Sequence, residues 1–105
     1  MTPRQSRIDS PRAFHHIITR GIEKQKIFFD EGDYKDFLNR LGKLIIETGT
    51  KCYAWALMPN HFHLLLKTGD KPISKMMQRL LTGYAITFNR KHRRVGHLFQ
   101  NRYKL

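Results

Sequence analysis

The chain has 105 residues, 40% of them hydrophobic and 27% charged, which suits one globular domain and excludes a disordered tail. No apolar run approaches the ~20 residues that a membrane-spanning helix needs, and the polar start MTPRQSRIDSPR carries no secretory h-region. Twenty Lys+Arg against 8 Asp+Glu give a net charge of +12, which points to a polyanionic partner, nucleic acid or an anionic surface.

Residues 1–11, with Pro3 and Pro11, read as a flexible arm, and 12–105 as the domain. A strand is expected over about 12–20, with Phe14, His16 and Ile18 on one face and Ala13, His15 and Ile17 on the other. Residues 22–29 read as a loop. Asp30 or Asp33 is placed to cap a helix over 31–48, in which Tyr34, Phe37, Leu38, Leu41, Leu44, Ile45 and Thr48 recur at helical spacing, and Gly49 fits a left-handed cap. Residues 51–58 and 61–68 read as two strands joined by Pro59-Asn60, an antiparallel hairpin. A second long helix is expected over 73–92, with Ile73, Met77, Leu80, Leu81, Tyr84 and Phe88 along one stripe. Gly96 breaks it, and 97–105 reads as a last strand. The order β-α-β-β-α-β predicts an α+β, ferredoxin-like sandwich with two helices on one face of an antiparallel sheet.

Charge is unevenly placed. Residues 1–70 carry a net +3, whereas 71–105 carry nine cations and no acidic residue. Arg90, Lys91, Arg93, Arg94, Arg102 and Lys104 are therefore candidate phosphate contacts, with Arg20 a further one. The sharpest chemical feature is His61-Phe62-His63. On a strand, positions i and i+2 share a face and lie about 7 Å apart, so the two imidazoles can converge on one divalent ion. The plain alternative is a pair of surface histidines at a strand end, and His15, His16, His92 and His97 read as incidental.

Other chemistries fit poorly. Both G-x-x-x-x-G-K-[ST] and G-x-G-x-x-G are absent. The single cysteine, Cys52, lies in a strand, cannot form an internal disulfide and suits a reducing compartment. Carboxylates are too few for a carboxylate-only two-metal nuclease.

The segment Leu57-Met58-Pro59-Asn60-His61-Phe62-His63-Leu64-Leu65-Leu66 resembles the signature of the HUH-type single-tyrosine transposases, the insertion-sequence and REP-associated enzymes of bacteria. His15–Gly21 resembles that family's first strand, Asp33-Tyr34 with Phe37-Leu38 its first helix, and Tyr84–Arg90 its basic helix. Gly96-His97-Leu98-Phe99-Gln100-Asn101-Arg102-Tyr103-Lys104 resembles the strand that follows. The resemblance implies a bacterial, cytoplasmic DNA transposase that binds single-stranded DNA with hairpins and uses Mg²⁺ or Mn²⁺ on His61 and His63. It further implies cleavage through a 5′-phosphotyrosine. In the family the tyrosine and a third ligand follow the G-H-L-F-Q-x-R-Y-K block, so the nucleophile is expected after Leu105, the domain is expected to lack that helix, and no catalytic residue is assigned within the chain. Tyr84 is the least poor in-chain candidate. A homodimer is left open. The competing reading is a non-catalytic nucleic-acid-binding module that stacks bases on sheet aromatics such as Tyr53 and Trp55.

Overall fold

The computed structural model describes residues 13–100. The arm expected over 1–11, the start of the first strand at Arg12, and Arg102, Tyr103 and Lys104 lie outside them. The elements run β1 (Phe14–Arg20), a single 3-10 turn (Ile22–Lys24), α1 (Glu31–Thr48), β2 (Lys51–Met58), β3 (His61–Lys67) and α2 (Ile73–Lys91).

The sheet is antiparallel in the order β1-β3-β2. Phe99 bridges Gly21, and backbone bonds Ile22 N to Leu98 O and Gln100 N to Arg20 O start a further edge beside β1. The order is that of a ferredoxin-like sandwich. Alternation along β1 and β3 buries His15, Ile17, Thr19, Phe62, Leu64 and Leu66 on one face. Against it lie Phe37, Leu41 and Leu44 of α1 and Met77, Leu80, Tyr84 and Phe88 of α2. The opposite face carries no helix. The hydrophobic effect thus makes a two-layer molecule with one open sheet face.

Local chemistry sets the helix ends. Asp30 is the N-cap of α1, its carboxylate accepting the Asp33 N–H at 3.0 Å, and Gly49 closes the helix at φ 69°, where a side chain would be strained. The loop expected over 22–29 is irregular after its 3-10 turn, yet Ile27 and Phe28 are fully buried in it. Their amides donate to the Pro59 carbonyl at 2.7 and 3.2 Å, and the Gly21 amide donates to the Asn60 carbonyl at 2.9 Å. The loop is therefore clamped onto the β2–β3 turn. At Gly21 the chain passes so close to the Gln25 carbonyl that a Cβ would collide with it.

Candidate metal and single-strand interface

The β2–β3 turn delivers His61 and His63 to the open face of β3, the central strand. Phe62 between them is buried against Phe37 at 4.7 Å between ring centroids, which fixes the strand's rotation and with it the facing of both imidazoles. The two histidine rings lie 5.1 Å apart. Arg20 pairs with His61 across the sheet and Ile18 with His63, so a guanidinium shares the row of the first histidine.

Each imidazole has one nitrogen engaged. His61 Nδ1 lies 2.8 Å from the Asn60 side-chain oxygen, which can only accept, so this ring carries its proton on Nδ1 and keeps the Nε2 lone pair for another partner. His63 Nδ1 lies 3.2 Å from His16 Nε2, and these two rings stack at 5.3 Å. Read as incidental in the sequence, His16 is thus part of the cluster. It sits diagonally from His63, two pairs along the β1–β3 register. Burial pushes the His63 imidazole below its ordinary range, and His61, His16 and Arg20 push it further, favouring the neutral form that binds metals. Two imidazoles on one strand face, each with its Nδ1 engaged by a neighbour, suit a first-row divalent ion. Beside them Ala54 and Ala56 leave a shallow concavity of about 370 Å³ that also borders His16 and His63.

A second titratable cluster, at the start of α1, is not built for an ion. Asp30, Asp33 and His92 bring their ligand atoms within 4.8 Å of one another. Lys91 already sits on both carboxylates, at 2.8 and 2.9 Å, and His92 Nε2 lies 2.8 Å from Asp33. Asp33 also accepts the Phe29 amide. Burial alone would raise the Asp33 carboxyl, but hydrogen bonds from Lys91, the Phe29 amide and His92 outweigh it and hold Asp33 below the usual carboxylate range. The cluster latches the end of α2 to the start of α1.

The basic run at the end of α2 divides accordingly. Arg90 and Arg93 are exposed. Lys91 belongs to the latch, and Arg94 bonds the Asn89 side chain, Gln25 and the His97 carbonyl. None of the described tyrosines faces the histidines. Tyr84 is buried, donates its hydroxyl to the Ile27 carbonyl, and is raised far above the usual phenol range by burial and then by Asp33. Tyr34 stacks on Phe28 at 4.4 Å. Tyr53 and Trp55, which strict alternation along a strand would put on one face, are separated by a register shift in β2: Tyr53 lies against Phe14 of the open face, and Trp55 pairs with Leu64 on the helix side. A groove of about 600 Å³, mostly apolar, runs between α2 and residues 96–100, away from the open face. No helix among the described residues is long and apolar enough to cross a membrane.

The profile of the family described as transposase IS200-like matches residues 11–105. Among solved structures, a REP-associated tyrosine transposase bound to a REP hairpin superposes with a TM-score of 0.68 at 13% identity, over 91% of this chain and 56% of that one. A proposed transposase from Deinococcus radiodurans R1 gives 0.59 at 22% identity, over 74% of this chain and 60% of its own. This chain therefore spans a little over half the length of these two structures. No curated protein matches the sequence closely enough to count as a relative.

Proposed function

The chain belongs to the IS200-like transposase family, and from that premise we propose that it acts on single-stranded DNA beside hairpins, with Mg²⁺ or Mn²⁺ held by His61 and His63. When bound, such an ion polarises a phosphate and offsets the charge on its oxygens. Asn60 and His16 orient the two imidazoles through their Nδ1 atoms. Arg20, in the His61 row, meets a neighbouring phosphate. Arg90 and Arg93 add sequence-independent affinity, as Arg102 and Lys104 would, while Lys91 and Arg94 contribute mainly by holding the α2 end in place.

The nucleophile is assigned to a tyrosine outside residues 13–100, because Tyr84 and Tyr34 are packed within the fold and Tyr53 lies at the far end of the sheet from His61. Its phenolic oxygen, losing its proton, attacks phosphorus. The bond to the 3′-oxygen breaks, that oxygen takes up a proton as a 3′-OH, and the 5′-phosphate remains on the tyrosine. A 3′-OH reversing the step rejoins the strand without external energy. The hairpin comes to this chain from the REP-bound relative.

The observation carrying this reading is the pair of open-face imidazoles whose Nδ1 atoms are both engaged. The competing reading, a non-catalytic single-strand binder, has no use for an ion there. Titration with Mn²⁺ followed by NMR separates the two. Paramagnetic broadening is expected first at the His61 and His63 rings; broadening at His92 that spares both overturns the metal assignment.

A further inference from the structure

The open face has a second end, and its residues take no part in the reading above. Phe14 and Tyr53 are 60% and 53% exposed, with ring centroids 5.4 Å apart. The Lys67 ammonium lies 5.2 Å over the Phe14 ring. Phe14 pairs with Lys67, and Lys67 with Lys51, so three strands place an aromatic ring and two cations in one row.

Two features make this row unusual for a plain solvated surface. Lys51 and Lys67 are direct cross-strand partners, an arrangement that repels unless an anion lies between or beside the ammonium groups. Tyr53 is the extra residue at the register shift between Cys52 and Ala54, the kind of bulge that re-aims a side chain at the cost of ladder regularity. The face itself is free of opposing charge. Among the described residues, its side chains on all three strands include no carboxylate. Flat rings flanked by paired cations on an acid-free surface match the two halves of a single-stranded nucleotide, a base that stacks and a phosphate that attracts.

We propose that Phe14, Tyr53, Lys51 and Lys67 form a single-stranded DNA subsite, with a base stacked on the rings and the adjoining phosphates on the two lysines. It lies six strand positions from His61, about 20 Å along the sheet. This rests on the DNA reading of the histidine end and extends it: the strand held at His61 and His63 continues across the open face. Between the two ends Ala54 and Ala56 present small side chains at a shallow concavity.

The test uses the whole chain and a fluorescent oligothymidylate of about 10 nucleotides, within the range one small single-strand domain covers. Replacing Phe14 and Tyr53 together by Leu keeps apolar bulk and removes both π faces. Affinity is expected to fall about 10-fold with an unchanged salt slope. Phe14→Tyr with Tyr53→Phe is expected to bind as the parent does. Lys51→Gln with Lys67→Gln is expected to flatten the slope of log affinity against log salt by about 1.4, at ~0.7 per phosphate. Each variant is checked by Mn²⁺ broadening at His61 and His63, which reports a folded sheet independently of DNA. If the Leu variant binds as tightly as the parent while the parent binds well, the subsite is wrong and the histidine reading stands. If the parent fails to bind oligothymidylate, both fall. If the Leu pair instead converts a dimer to a monomer in sedimentation, the row is a self-association surface and the subsite is overturned.

Discussion

Asn60 holds His61 by a single hydrogen bond, and that bond sets which ring nitrogen can meet a metal. Asn60→Ala leaves the backbone carbonyl that accepts Gly21 in place but frees the ring. Mn²⁺ affinity, read from NMR broadening, is expected to fall about 10- to 100-fold while the spectrum of the core stays unchanged. Tyr84 makes the opposite case, a reactive group spent on structure. Tyr84→Phe strands the buried Ile27 carbonyl and should cost about 1–3 kcal/mol in urea unfolding, with single-strand affinity preserved. That His61 and His63 share a face was legible from the alternating pattern, since a period of two needs no tertiary information. His16 was not, because its meeting with His63 depends on the register of strands 47 residues apart. Nor was Lys91, since a count of cations treats each as solvated, and only the fold brings this one to Asp30 and Asp33.

Elements whose limits are written locally were read closely. Helix α1 begins and ends where Asp30 and Gly49 cap it, and β2 runs over the span its apolar residues mark. The bulge in β2 escaped because no glycine announces it, and the burial of Ile27 and Phe28 escaped because their partner is the backbone of a distant turn, at Pro59. The latch between α1 and α2 gives this scale its prediction. Asp33 titrates below the ordinary carboxylate value in the folded chain, so the stability it supplies is present above about pH 4 and is lost as pH falls through its folded value. Asp33→Asn should be less stable near neutrality, by about 1–3 kcal/mol, and should show a flatter dependence on pH below about pH 4. Urea midpoints measured across that range check both halves; an identical acid slope in the two proteins would show that the latch is not ionic.

Over the whole molecule, charge and shape are segregated. The acidic residues of α1 and its cap lie with the helix layer, and the open sheet face has none among the described residues. Arg20, Lys51 and Lys67 therefore act outward from that face with no carboxylate among them, and Arg90 and Arg93 add exposed charge at the end of α2. Replacing Arg90 and Arg93 by Ala, which breaks no described bond, should lower the salt slope of single-strand binding by about 1.4, at ~0.7 per phosphate. The same change at Lys91 and Arg94 should lower thermal stability as well, since both hold other parts of the fold. Fluorescence anisotropy at several salt concentrations and a thermal melt of each variant distinguish the two classes.

The Pro59 carbonyl accepts two amides from the loop that carries Ile27 and Phe28 into the core. Loop and turn must consequently open together, as one cooperative unit. The fraction of time that His61 is presented is then governed by side chains that never approach a nucleic acid. A change at Ile27 that loosens the core would act like a dimmer on the site, lowering its working population while leaving every polar group in place. Wear in such a protein can begin in its packing, with the histidines intact and silent.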